Sequence, residues 1–226
     1  MIYKFDWSSI PGALPFLVQG MGLTLTLLIL AMTGGILFGT LLALMRLSSR
    51  AWLSSLAGTY VNLFRSIPLV LVIFWFYFLV PFMLKAITGN PAITVGAFHS
   101  ALIAFMIFEA AYYCEIIRAG IQSIPRGQVS AAYALGMTYV QAMRYVILPQ
   151  AFRNMIPLLL TQSIILFQDT SLVYVISLSD FLGVASKVGQ RDGRLVEMYL
   201  FAAAIYLVIS YSASGLVKRL QMRFAL

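Results

Sequence analysis

The chain alternates between long stretches without charge and short polar clusters, and the stretches are too long for the helices of a soluble core. Phe16 to Met45 runs thirty residues without a charged side chain and stops at Arg46 and Arg50. A helix needs about 20 apolar residues to cross a hydrocarbon layer of ~30 Å, so this first span is long, tilted, or begins outside the membrane. Ala51 to Leu84 carries a single charge, Arg65, and predicts a second span over residues 55–82, closed by Pro81 and the Gly89-Asn90-Pro91 turn. The third span, 93–117, contains Glu109 and Glu115, and the fourth, 154–176, contains Asp169. The fifth, 198–217, is uncharged and is followed by Lys218, Arg219 and Arg223. The pattern predicts an all-α integral membrane protein with five transmembrane helices, one transmembrane domain over residues 1–226 with its first span at about 16–46.

Composition agrees and narrows the chemistry. The chain is 62% hydrophobic and 10% charged, with a mean hydropathy of +0.94, well above a soluble domain. Cys114 is the only cysteine and His99 the only histidine, which excludes an internal disulfide and any site needing two histidines. The N-terminal "MIYKFDWSSIPG" has an aspartate and an indole where a cleavable signal would have a basic region and a short apolar core. The net charge of +8 is dispersed between apolar blocks, so it marks membrane edges and not a nucleic-acid surface. With the N-terminus outside, nine basic residues fall inside and Lys4, Lys85, Lys187, Arg191 and Arg194 fall outside, which favours N-out, C-in. Lys187, Arg191 and Arg194 run against that bias, in a loop balanced by Asp180, Asp192 and Glu197.

Residues 125–150 are neither apolar enough to span nor charged enough for an ordinary loop, and this topology puts them in the cytoplasm between spans three and four. Pro125 suits a helix start, and Gly136 suits a left-handed helix end. Thr138 with Gln141 three residues on predicts a capping box opening a second helix, which Pro149 kinks or ends. Ala131, Ala132 and Ala134 would give this helix–Gly–helix elbow a surface that another protein can approach closely.

Ser130-Ala131-Ala132, then Gly136, then Ile147-Leu148-Pro149 resembles the E-A-A loop of bacterial ABC-importer permeases, with Ser130 where that family usually has glutamate. The likeness covers nearly the whole chain. The stretches "FRSIPLVLVIFWFYFLVP", "EAAYYCEIIRAGIQSIPRGQ" and "LFQDTSLVYVISLSDF" narrow it to the polar amino-acid uptake branch, and within it to permeases of glutamate/aspartate importers. The resemblance implies a multi-pass subunit of the bacterial inner membrane, paired with an identical or homologous permease. It also implies a cytoplasmic ATPase dimer, and a periplasmic binding protein that delivers the amino acid. It gives the elbow a role: Ser130, Ala131, Ala132, Gly136, Ile147, Leu148 and Pro149 would couple the ATPase to the spans. The chain has no G-x-x-x-x-G-K-[ST], so it is expected to be no enzyme and to hold no cofactor, with ATP bound by the partner. A permease for glutamine or a basic amino acid, or a channel or carrier working without an ATPase, are the competing readings. A membrane enzyme lacks an evident nucleophile–base pair.

Charge inside a membrane is costly and points to function or to a buried pair. Asp169 falls in "QDTSL", where Gln168, Thr170 and Ser171 add polar groups; it either lines the substrate path or gate, or caps a broken helix. Arg65 could meet a substrate carboxylate, snorkel, or pair with Glu109 across spans two and three. Glu115 and Arg118, three apart on one helix face, predict a local structural pair. Gly35-x-x-x-Gly39 and Ser210-x-x-x-Ser214 predict close helix crossings.

Overall fold

A computed structural model describes residues 4–224; residues 1–3 and 225–226, and the side chains of Arg223 and Phe224, lie outside the described residues. Among the described residues the chain is helical, without strands. In chain order the helices are α1 (Ser9–Arg46), α2 (Ala51–Arg65), α3 (Leu69–Thr88), α4 (Ala97–Gln122), α5 (Arg126–Ala134), α6 (Tyr139–Ile176), α7 (Phe181–Asp192) and α8 (Leu195–Phe224). Five of them, α1, α3, α4, α6 and α8, are long and apolar enough to cross a membrane.

The centre is a glycine-mediated crossing of α1 and α4. A Cβ on Gly35 would stand 2.9 Å from the Glu109 Cβ, and one on Gly39 would stand 2.8 Å from the Tyr113 Cβ and 2.9 Å from the Ala110 carbonyl. Only hydrogen at these two positions lets the backbones come so close, which is how helices associate where water supplies no drive. Leu27 and Ala31 of α1, Val72 and Ile73 of α3, Phe105 of α4 and Leu166 of α6 fill the core around this crossing. A second core joins Ala13 and Leu17 of α1 to Phe181, Val184 and Ala185 of α7 and Met198 of α8. The other small-residue pair makes no such crossing: Ser210 is buried, but Ser214 is exposed.

Two spans differ from the pattern of the sequence. Residues 55–82 do not form one helix, because the chain breaks at Ser66-Ile67-Pro68 and Arg65 is the last residue of α2. Pro68 supplies no N–H and disfavours the helical region for Ile67. Pro81 does not close the second span either; α3 continues to Thr88 and ends on Gly89 at φ 68°. The π turn Trp75–Leu79 comes just before Pro81 and contains Tyr77, whose carbonyl the ring would otherwise strike. The same arrangement lets α6 pass Pro149. The π turn Met143–Ile147 contains Tyr145, four residues earlier. The helix that carries the fourth span therefore begins at Tyr139 and not near 154, and the elbow's second helix is continuous with it.

Candidate functional site

The elbow is built by local backbone chemistry. Pro125 stands at the N-cap of α5 with extended backbone. The helix ends in a Schellman motif: Gly136 N donates to the Tyr133 carbonyl at 2.9 Å and Met137 N to the Ala132 carbonyl at 3.1 Å. The motif requires a left-handed residue, and Gly136 supplies it at φ 77°. Two residues on, Thr138 Oγ1 accepts from Gln141 N at 3.3 Å while Gln141 Oε1 accepts from Thr138 N at 2.8 Å. This is the capping box, and it opens α6.

Of the three alanines expected on the elbow's outward face, Ala131 and Ala134 are exposed and Ala132 is not. Ala132 is 3% exposed and points inward. Ile147 is buried with Ile124, Ala151 and Met155, so it holds the elbow to the spans and is not offered to a partner. Ser130, Ala131 and Pro149 are exposed and Leu148 half-buried. The exposed apolar surface comes from Tyr133, Leu135, Tyr139, Val140 and Tyr145, with Leu135 reaching 78% exposure. Leu135, Gly136, Met137, Gln141 and Tyr145 line a hollow of about 300 Å³. Exposed apolar clusters of this kind mark protein contacts.

Inside the bundle, Glu109 is 0% exposed and its two carboxylate oxygens accept from Gln162 Nε2 at 3.2 and 3.1 Å. The predicted Glu109–Arg65 pair does not form. Arg65 sits at the α2 break, exposed, with its guanidinium 5.4 Å from the centre of the Tyr112 ring. Gln162 went unnoticed in the sequence because one amide in an apolar run is ordinary; only the α4–α6 crossing brings it to Glu109. Next to Gln162 on α6, Ser163 donates to the Leu159 carbonyl at 2.9 Å, and the Tyr113 hydroxyl is buried in the same region.

Asp169 lies where α6 tightens into the 3₁₀ segment Thr170–Ile176, and its side chain caps no N–H there. The predicted cap role thus fails, and Thr170 does not serve it either: its hydroxyl donates back to the Phe167 carbonyl at 2.6 Å. Gln168 is exposed, Asp169 and Ser171 half-buried, and Thr170 buried, so the polar cluster splits across the helix surface. Glu109 and Asp169 are close enough to interact electrostatically; Arg65 stands with Glu115, at the other end of α4.

Three further groups of charges hold helices together. Arg118 Nη2 lies 2.6 Å from Glu115 as predicted, and Arg46 Nη1 joins at 3.3 Å. Arg194 bridges Asp6 at 3.3 Å and Glu197 at 3.5 Å, tying the start of α8 to the chain ahead of α1. Asp180, counted above as a loop charge, is 0% exposed and caps α7 by accepting from Leu182 N at 3.2 Å and Gly183 N at 2.9 Å. Burial pushes its carboxyl up to about 6.

Five helices long and apolar enough to span, packed around a buried carboxylate with an apolar elbow at one end, are the build of a multi-pass membrane protein. The chain belongs to the family of binding-protein-dependent transport system inner membrane components, whose model matches residues 35–226. It is an ABC-importer permease of the inner membrane. It is 59% identical over 224 residues to the glutamate/aspartate import permease protein GltK of Escherichia coli O157:H7, covering 99% of this chain and 100% of the relative. It is 33% identical to the glutamine transport system permease protein GlnP of Escherichia coli K12, over 97% of this chain and 98% of that one. The crystal structure of an amino acid ABC transporter superposes with a TM-score of 0.88 at 34% identity, covering 98% of this chain and 100% of the other. An inward-facing methionine ABC transporter, at 21% identity and a TM-score of 0.68 over 91% of this chain and 96% of that one, shares the fold.

Proposed function

We propose that this permease carries glutamate and aspartate inward, as one of two permeases driven by a cytoplasmic ATPase pair and supplied by a periplasmic binding protein. The observation that carries the substrate is the 59% identity to GltK over the full chain, against 33% for the glutamine permease. ATP is bound and hydrolysed by the partner subunits. In this reading the N-terminus is outside and the C-terminus inside, and the elbow docks Tyr133, Leu135, Tyr139, Val140 and Tyr145 on the ATPase. Ser130, Ala131 and Gly136 share that surface, while Ala132 and Ile147 fix it to the spans.

A dicarboxylic amino acid brings one ammonium and two carboxylates into a site with few waters, and each must meet an opposite charge or a helix N-terminus. Half-buried Asp169 is the acidic side of the path, with the buried Glu109–Gln162 pair behind it, and the ammonium is its natural partner. Arg65, exposed at a helix break and near Glu115, which is itself engaged by Arg118 and Arg46, is the cation offered to a substrate carboxylate at the inner half.

The test is uptake by the complete complex, with its own binding protein, of labelled glutamate, glutamine and arginine in proteoliposomes. Glutamate is expected to be preferred, and Asp169→Asn to lower its uptake while leaving insertion and ATPase docking intact. Preferred uptake of glutamine or arginine refutes the substrate; normal glutamate uptake by Asp169→Asn removes Asp169 from the path.

A further inference from the structure

The outer basic residues that defy the positive-inside bias resolve into two groups. Arg194 is consumed by Asp6 and Glu197. Lys187 and Arg191, one turn apart on α7, instead line a cavity of about 490 Å³ between α7 and α1, together with Phe16, Gln19, Leu23 and Ser179. Lys187 Nζ is fixed in the wall, donating to Ser179 Oγ at 2.6 Å and to the Ser177 carbonyl at 3.3 Å. Asp192 engages Arg191 through two hydrogen bonds at 2.6 and 3.1 Å, and the buried Asp180 stands close enough to Lys187 to interact with it electrostatically, so each cation has a carboxylate beside it and offers a ligand its remaining N–H donors. Val184 and Val188 of α7 continue the apolar wall made by Phe16 and Leu23.

Depth decides what such a pocket meets. In the N-out orientation proposed above, on which this inference rests, Arg46, paired with Glu115 at 3.3 Å, marks the inner edge, and helical rise puts Leu23 about 34 Å along α1 from it. At a tilt of about 20° that is roughly 32 Å along the membrane normal. The hydrocarbon layer is ~30 Å thick and the headgroup layers bring the total to 40–45 Å. Leu23 therefore stands at the outer hydrocarbon boundary, and Gln19, one turn further out, in the headgroup layer. The cations face the level of lipid phosphates, and the apolar wall runs down toward the acyl chains.

We infer that this cavity binds the headgroup of an anionic phospholipid of the outer leaflet, its phosphate on Lys187 and Arg191 and its first acyl segment along Phe16 and Leu23. A free amino acid or inorganic phosphate would satisfy the cations but leave the apolar wall wet. A zwitterionic lipid would bring an ammonium next to Lys187. The bound lipid ties α7 to α1 and so steadies the outer end of the bundle.

The test uses the full-length permease in detergent, titrated with phosphatidylglycerol or phosphatidylethanolamine and read by native mass spectrometry. A phosphatidylglycerol adduct is expected. The double variant Lys187→Gln/Arg191→Gln is expected to reduce it at least about tenfold, since each tenfold is 1.4 kcal/mol. Val188→Trp, which fills the pocket without touching charge, should reduce it as well. Equal binding of the two lipids, or undiminished phosphatidylglycerol binding by both variants, overturns the inference. Displacement of the lipid by millimolar inorganic phosphate or glutamate overturns it too, and reassigns the cations to a free anion.

Discussion

Gly136 offers the sharpest perturbation of the elbow, because its effect can be confined to the backbone. Its φ is 77°, and a Cβ built there meets nothing within 4 Å, so a substituted side chain clashes with nothing. What it loses is conformational: an L-residue in the left-handed region costs about 1–2 kcal/mol, and a β-branched one lies at the upper end. The alternative is to leave that region and give up the Schellman bonds from Gly136 N and Met137 N. A penalty of about 2 kcal/mol shifts the equilibrium roughly 30-fold against the docking-competent elbow. Gly136→Val should therefore abolish most uptake while binding-protein-stimulated ATP hydrolysis becomes uncoupled from transport. Gly136→Asn, which tolerates the left-handed region, should retain much of it, with Gly136→Ala between. Uptake and ATPase rates are measured together in proteoliposomes containing the whole complex. Wild-type uptake by Gly136→Val, or equal loss in Asn and Val variants, would refute the backbone argument.

Three further outcomes test other parts of the structure. Gly39→Ala places a methyl 2.8–3.0 Å from the Tyr113 Cβ, the Ala110 carbonyl and Cys114 N; overpacking of about 1–3 kcal/mol should lower the melting temperature in detergent, whereas Gly22→Ala, with nothing within 4 Å, should not. The Asp180 carboxyl is raised from 3.8 to about 6 by burial, so the folded chain binds the extra proton; its contribution is complete below pH 3.8 and is lost as pH rises through 6, up to about 3 kcal/mol. Melting temperature should fall over that window in the wild type and stay flatter in Asp180→Asn, which keeps the cap. In a Cys114→Ser background, Gln190→Cys should react from outside with an impermeant maleimide and Gln128→Cys should not, both side chains being exposed; the reverse labelling inverts the topology.

The features legible in the sequence are those encoded locally. Five spans follow from the length of uncharged runs, because the bilayer fixes how many residues a helix must supply. The elbow follows from Pro125, Gly136 and the Thr138–Gln141 box, whose chemistry acts over three or four residues. The α2 break was equally local, written in Pro68, and was missed because apolar residues continue across it. Partner choice was not legible. Glu109 bonds Gln162 and not Arg65, Ala132 turns inward while Leu135 and Tyr139 turn out, and Asp180 is buried beside Thr24 rather than solvated in a loop. Each depends on the rotation and crossing of helices far apart in sequence. One residue turns a helix face by about 100°, and only the close approach of α1 to α4 through Gly35 and Gly39 settles which faces meet.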